Sequence, residues 1–203
     1  MGLFDSIMRT ATSTAKREAT KAVTNAAVNA ATSAGKGKNH TESFTFASLP
    51  GSLAELKALP EASLDSPFKT TALTLAVLCS YEKNPDGCIE MLDFLKGPEN
   101  VSTYEKGFIK ERLTDKYYKP FSYFEGATPE NGYKPNTPYV IKVSENPYSY
   151  SDDNWATLYV TSGGADNPRP IKLRKKPSTG QWFLNDIQCL ADIRVPVAED
   201  PWA

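Results

Sequence analysis

Histidine is almost absent from this chain of 203 residues, and the single copy is His40. One histidine in a polar stretch argues against Ser-His-Asp and Cys-His catalysis, histidine proton shuttles and histidine-rich metal sites. No apolar run approaches the roughly 18 residues that a membrane-spanning helix needs. No charged and apolar regions typical of a secretion signal open the sequence, so we expect a cytoplasmic protein.

Cysteine is scarce as well, with three copies at Cys79, Cys88 and Cys189. Their number is odd and none forms a Cys-x-x-Cys pair, which favours buried, reduced thiols over a disulfide framework or a zinc site. Phosphate-binding motifs are also missing, since the Gly-Lys-Gly-Lys stretch at 35–38 lacks the spacing of a P-loop. We therefore expect neither a metal nor a cofactor.

Large apolar side chains are few before Asn39 and plentiful from Phe44 onward. Only the second stretch can bury a core, so the sequence predicts two parts: residues 1–38, and a single domain over 39–203. Charge divides at the same place, because residues 1–39 carry a formal charge of +4 and the remainder −5. The acidic body argues against nucleic-acid binding by the domain, whereas a basic segment suits an anionic surface or an acidic partner.

A long helix rich in alanine and threonine is predicted for residues 3–34, which contain no proline or glycine. Apolar side chains recur at spacings of three and four and form one narrow stripe of mostly small residues. Such a helix needs a partner surface to be stable. The predicted interaction residues are the bulky and basic side chains near its start: Phe4, Ile7, Met8, Lys16, Arg17 and Lys21.

Helical signals fill the first half of the domain. Ser66-Pro67 predicts a helix start and a helix continuing to about Glu82, with Leu73, Ala76, Val77 and Ser80 forming its apolar face. A turn at 84–87 precedes a predicted helix from Cys88 to Leu95. Ser102 with Glu105 matches a capping box for a helix ending near Asp115. Shorter segments precede them, with an extended stretch at 44–46 and a helix at 53–59.

Strand signals fill the second half, after a proline- and aromatic-rich stretch at 117–138 that we interpret as an irregular loop. Four short alternating segments follow, at 139–143, 156–160, 171–174 and 182–184. The turn signal at 176–180 joins the last two as a hairpin. The pattern predicts an α+β fold in which a helical N-terminal half packs against a C-terminal antiparallel β-meander.

Two regions are candidate ligand sites. Arg169 and Arg174 can fork onto a carboxylate or phosphate, with Asp166 in the Ser-Gly-Gly-Ala-Asp turn at 162–166 beside them. That turn is either a backbone anion nest or an ordinary wide turn. Aromatic residues including Tyr123 and Phe124, close to Glu125 and Glu130, either line a surface for a sugar or peptide or fasten a long loop.

Several strings resemble an uncharacterised bacterial protein family, a domain of unknown function. They include Phe94-Leu95-Lys96-Gly97-Pro98, Pro120-Phe121-Ser122-Tyr123-Phe124, Gly163-Gly164-Ala165-Asp166 and the final Asp200-Pro201-Trp202. The resemblance covers about residues 44–203 and implies a bacterial origin. It supplies no activity, cofactor or catalytic residue. We expect the Asp-Pro-Trp end to be packed, because an exposed indole forfeits apolar contact.

Three functions remain in competition. The first is a non-catalytic binding or scaffold protein whose residues 1–34 engage an anionic membrane surface or a helical protein partner, which would place it peripherally at the membrane. The second is a binder of small anions near Arg169. The third is a carboxylate-dependent enzyme acting on a glycan or peptide. Gly2 and Ser6 also match the myristoylation pattern, a short signal that a bacterial origin disfavours.

Overall fold

The computed structural model describes residues 39–202, and the predicted N-terminal helix therefore lies outside the described residues. The domain is α+β, as predicted. Its helices are α1 (Leu53–Ala58), α2 (Pro67–Leu78), α3 (Pro85–Lys96), α4 (Thr103–Leu113) and α5 (Tyr118–Phe121). Its strands are β1 (His40–Phe46), β2 (Tyr139–Glu145), β3 (Trp155–Val160), β4 (Arg169–Lys175) and β5 (Trp182–Ile187). Short 3-10 turns lie at Pro60–Ser63, Pro129–Asn131 and Val197–Glu199.

The five strands form one antiparallel meander in the order β1-β2-β3-β4-β5. The β4–β5 hairpin turns at 176–180, as predicted, with the Lys176 amide donating to the Gln181 carbonyl at 2.8 Å. Strand β1 is longer than the predicted stretch at 44–46, because all seven of its residues pair with β2. His40, which lies in a polar stretch of the sequence, is the first residue of this edge strand.

Helix α2 is the centre of the core and packs against α3 and the inner face of the sheet. It ends at Leu78, four residues before the predicted end, and it is buried around its whole circumference rather than along one face. Threonine makes this possible: the Thr71 and Thr74 hydroxyls donate to the carbonyls of Pro67 and Thr70, at 2.9 and 2.8 Å. Their polar atoms are thereby satisfied without water.

Two helix starts follow their sequence signals, whereas α3 begins at Pro85, inside the turn predicted at 84–87, because the Asn84 side chain caps it by accepting from the Gly87 amide. The Ser66 side chain accepts a hydrogen bond from the Phe68 amide at 3.2 Å, and Ser102 and Glu105 form the predicted capping box. The stretch at 117–138, predicted to lack regular structure, contains α5 and a 3-10 turn, and Phe124 forms a β-bridge with Ile141. Prolines at the first turn of such short helices do not break them.

The outer edge of β5 is closed by the helical layer. The Trp182 amide donates to the Leu64 carbonyl at 2.7 Å, and the Thr70 hydroxyl donates to the Trp182 carbonyl at 2.7 Å. Further along, the Lys96 ammonium donates to the Asn185 carbonyl at 3.2 Å. These contacts attach α2 and α3 to β5 and place the end of α3 beside the β4–β5 hairpin.

Candidate functional site

Arg169 and Arg174 do not form a joint anion site. They lie five residues apart on β4, which corresponds to about 16 Å along a strand. An odd separation also places them on opposite faces of the sheet. Arg169 is on the same face of β4 as the buried Ile171 and Leu173, whereas Arg174 is on the solvent face. The predicted pairing of the two guanidinium groups is therefore wrong.

Two backbone amides of the turn at 162–166 already donate hydrogen bonds within the protein. The Gly163 amide donates to the Ser122 carbonyl at 2.8 Å, and the Gly164 amide donates to the Ser162 hydroxyl oxygen at 3.0 Å. These amides are not available to an anion, so the turn is not a nest. Asp166, predicted to stand beside Arg169, instead contacts Arg194 with its carboxylate oxygen 2.9 Å from Nη2.

Tyr123 and Phe124 are both buried and do not line a surface. The Tyr123 hydroxyl donates a hydrogen bond to the carbonyl oxygen of Cys189, and burial raises the pKa of this phenol. Phe124 contacts Tyr139 edge to face, with 5.9 Å between ring centroids. Of the two interpretations of this aromatic stretch, the placement of both side chains favours the one in which they fasten the loop.

We call residues 189–194 the clamped segment. Its backbone carbonyls accept hydrogen bonds from four side chains that are distant from it in the sequence. The donors and acceptors are Tyr123 to Cys189, Lys119 to Leu190 at 3.0 Å, Arg169 to Asp192 at 2.9 Å and Tyr133 to Arg194 at 2.7 Å. Two of the four donors, Tyr123 and Lys119, lie in or directly beside the string at 120–124 that carries part of the family resemblance. That string therefore has a structural role, which is to hold the clamped segment.

Lys119 is the most unusual of these donors because its side chain is only 6% exposed. Burial lowers the pKa of its ammonium group, and the nearby cations of Lys116 and Arg112 lower it further. The hydrogen bond to Leu190 occupies one of its three donor positions. Sequence inspection gave no indication of this contact, because the acceptor lies 71 residues away.

A concave surface of about 280 Å³ lies between the end of α3 and the β4–β5 hairpin, and we call it the basic groove. Its cations are Lys96, Arg174, Lys175 and Lys176, and its carboxylate is Glu99. Its apolar lining comes from Pro98, Pro177, Phe183 and Leu184. Arg174 was a predicted ligand residue. The run of three cations before Pro177 was the sequence signal that could have identified the other hairpin residues.

The wall of the groove depends on a close approach between Gly97 and Phe183. Gly97 has a φ of 65°, and a Cβ atom built on it would lie 2.3 Å from the Phe183 ring. Only glycine fits both the backbone conformation and the contact. The loop that follows is fastened by Asp93, whose carboxylate accepts from the Val101 amide at 2.6 Å. This local structure fixes Pro98 and Glu99 opposite the hairpin.

The cations of the basic groove differ in how closely a carboxylate pairs with them. Lys96 is 7% exposed, and its Nζ lies 2.6 Å from the Glu105 carboxylate. Burial alone would raise the pKa of Glu105, but hydrogen bonds from Lys96 and Ser102 hold it below its ordinary value. Arg174 has only a long contact with Glu99, at 3.5 Å. The excess positive charge therefore lies at the hairpin.

Two of the hairpin cations lie over aromatic rings. The Arg174 guanidinium carbon is 5.2 Å from the Trp155 ring centroid, and the Lys175 ammonium is 5.6 Å from that of Trp182. Trp155 and Phe183 are the direct cross-strand neighbours of Arg174. The contact with Trp155 restricts the Arg174 side chain and favours a single position for its guanidinium group.

A smaller cavity of about 130 Å³ lies on the other side of Lys96, between α3, α4 and β5. Its walls are mostly apolar and include Phe108, Ile109 and the largely exposed Tyr104. Within residues 39–202, no group of three or more histidine, cysteine or carboxylate side chains is arranged to hold a metal ion. Of these two concave surfaces, the basic groove is the one that also has an excess of positive charge.

The fold defines an α+β domain in which a buried helix packs on a five-stranded antiparallel meander. The sequence matches the profile of a family described as a domain of unknown function, DUF6935, over residues 48–197, and the chain belongs to this family. The matched region contains every described helix and four of the five strands. No curated protein and no solved structure matches the chain.

Proposed function

We propose that this chain is a non-catalytic binding protein whose basic groove takes an anionic ligand that also carries an apolar portion. The observation that supports this proposal is the excess of positive charge beside an apolar floor at the β4–β5 hairpin. Arg174 would fork onto the anion, with Lys176 adding charge, while Phe183 and Pro177 contact the apolar portion. The volume is near the lower limit for ligand pockets, which favours a small ligand or a short segment of a larger one.

The carboxylates weighed for catalysis support a non-catalytic role. Glu125 forms an ion pair with Lys142 at 2.7 Å, and both side chains are exposed. The pKa of Glu130 is lowered, first by a hydrogen bond with its own backbone and then by Thr128. A general acid needs the opposite shift, toward neutral pH. Glu130 therefore lacks the environment of a catalytic acid, and Glu125 is engaged by Lys142.

Binding of a fluorescent aromatic anion, anilinonaphthalene sulfonate, tests the groove. We expect saturable fluorescence enhancement for the native chain and at least about a tenfold loss of affinity in the double variant Arg174→Ala, Lys176→Ala, because two of the three hairpin cations are removed. The matched control is Lys172→Ala, which removes an exposed cation of β4 outside the groove. Equal loss in the control, or no loss in the double variant, would refute the proposal.

A second binding element is inferred from the sequence alone. The +4 charge of residues 1–39 and the narrow apolar stripe support binding of residues 1–34 to an anionic membrane surface or a helical protein partner. The residues assigned to it are Phe4, Ile7, Met8, Lys16, Arg17 and Lys21. In the described part of the chain, no helix is long and apolar enough to cross a membrane. A cytoplasmic location in a bacterium remains part of this proposal.

Circular dichroism of a peptide comprising residues 1–34 tests this second element. We expect little helix in buffer and strong helix induction by vesicles containing anionic lipid, reversed by high salt. Neutral vesicles are the control. Absence of induction by either vesicle would exclude the membrane and leave a protein partner. A stable helix in plain buffer would remove the argument for both.

A further inference from the structure

The end of the described chain carries an unexplained exposed tryptophan. Trp202 is 93% exposed, although the sequence led us to expect it to be packed. Two acidic residues precede it, Glu199 and Asp200, and the Asp200 carboxylate accepts a hydrogen bond from the Trp202 amide at 2.9 Å. We call residues 199–202 the acidic tail. Its composition, an indole next to carboxylates, is complementary to the basic groove.

The acidic tail lies at the wrong end of the sheet to enter the groove of its own molecule. The turn at Val197–Glu199 packs against Pro129–Asn131, and Arg194 is bonded to Gly164 near the start of β4. The groove is at the other end of β4, around Arg174 and Lys175. The five residue steps of strand from Arg169 to Arg174 span about 16 Å, whereas the three steps from Glu199 to Trp202 reach about 10 Å.

We propose that the basic groove binds the acidic tail of a second copy of this chain. This inference rests on the proposed function of the groove and names its ligand. The Trp202 indole would lie on the floor formed by Phe183 and Pro177, and the tail carboxylates would meet Arg174 and Lys176. Insertion covers an indole that is otherwise in water and matches the excess charge of the hairpin.

Reciprocal exchange of tails gives a dimer with twofold symmetry, in which both grooves and both tails are occupied. The two contacts are then equivalent, and formation of the first raises the effective concentration for the second. One-way insertion would leave an open tail and an open groove and would generate longer assemblies. We expect the closed dimer, because it leaves no groove and no tail open, so the assembly stops at two copies.

Sedimentation of the full chain over a concentration series, up to about 1 mM, tests the dimer. We expect a monomer–dimer equilibrium that Trp202→Ala weakens at least about tenfold, since a buried tryptophan is a typical energetic centre of an interface. Lys172→Glu, outside the groove, should leave the equilibrium unchanged. A monomer throughout the series, or a dimer whose dissociation constant is unchanged by Trp202→Ala, would overturn the proposal.

Charge exchange supplies the decisive version of the test. One variant reverses the groove (Arg174→Glu, Lys176→Glu) and another reverses the tail (Glu199→Lys, Asp200→Lys). Each alone should be monomeric, whereas an equimolar mixture should form a heterodimer, because both groove–tail pairs again have opposite charges. A mixture that stays monomeric contradicts the inference. If dye binding to the native groove persists in that case, the proposed function survives and only the tail is excluded.

Discussion

The hydroxyl oxygen of Tyr133 lies 2.7 Å from the carbonyl oxygen of Arg194, and this contact passes directly over Gly164. A Cβ atom at Gly164 would lie 2.0 Å from the Tyr133 hydroxyl oxygen and 2.9 Å from a methyl carbon of Ile193. The clamped segment can therefore pack against the turn at 162–166 only because residue 164 has no side chain.

Gly164→Ala is expected to destabilise the domain by about 1–3 kcal/mol, the usual range for overpacking. The matched control is Gly107→Ala in α4, where an added Cβ meets nothing within 4 Å. There alanine should stabilise by up to about 1 kcal/mol through helix propensity. Chemical denaturation of both variants measures the difference. Equal effects at the two sites would mean that the Tyr133 contact is not a steric constraint.

Alkaline pH is expected to destabilise the fold, because the unfolded chain releases three protons at a lower pH than the folded domain does. Burial raises the pKa of the Cys88 and Cys189 thiols and of the Tyr133 phenol, each to about 12. The folded state keeps these protons above the ordinary values of 9.0 and 10.0, where the unfolded chain releases them. The stability from these groups is present below pH 9 and is lost between about pH 9 and pH 12.

Urea denaturation at pH 8 and at about pH 10.5 measures this loss as a fall in the transition midpoint. Cys189→Ala removes one of the three groups, and it should make the fall between the two pH values smaller. A midpoint that does not change over this interval would show that the thiols and the phenol are accessible to solvent.

Glu99→Gln is expected to strengthen anion binding in the basic groove by about two- to fivefold. The substitution removes the carboxylate that faces Arg174, and this contact is long and exposed, so it is weak. For the same reason, the free energy of unfolding should change by less than about 0.5 kcal/mol. Titration with anilinonaphthalene sulfonate is the measurement. Glu90→Gln, on the exposed side of α3, is the control for a change in overall charge.

Removal of residues 1–38 should leave the domain folded. The apolar core described for residues 39–202 is continuous and includes the helix α2, the inner sheet face and parts of α3 and α4. We expect cooperative unfolding with a free energy that differs by less than about 0.5 kcal/mol from that of the full chain. Loss of a sharp transition in the truncated protein would show that the N-terminal segment belongs to the core.

Local signals in the sequence predicted much of this fold. Ser66-Pro67 and the Ser102–Glu105 pair located two helix starts because capping depends on neighbouring residues. The full extent of β1 was missed because His40 to Ser43 have no apolar pattern, and pairing with β2 determines their conformation. The all-round burial of α2 was missed because its threonines are polar in sequence, whereas their hydroxyls are satisfied inside the helix.

The candidate site was less predictable. Arg174 was identified, but its pairing with Arg169 ignored the two-residue period of a strand, which was available from the sequence. The roles of Lys119 and Tyr123 were not available, since their acceptors are 71 and 66 residues away. The groove itself needs α3 and the β4–β5 hairpin to come together, and no local pattern encodes that contact. Lys96 therefore became a candidate only in the structure.

The contacts to the clamped segment also determine when, during synthesis, the domain can finish folding. Lys119, Tyr123 and Tyr133 leave the ribosome well before residues 189–194, which carry their acceptors. Until then, burial of these donors would leave each of them unsatisfied, at about 1–3 kcal/mol for each group. A nascent chain that stops before Cys189 should therefore stay open and sensitive to proteases. The domain is therefore expected to complete its fold only after residues 189–194 have left the ribosome.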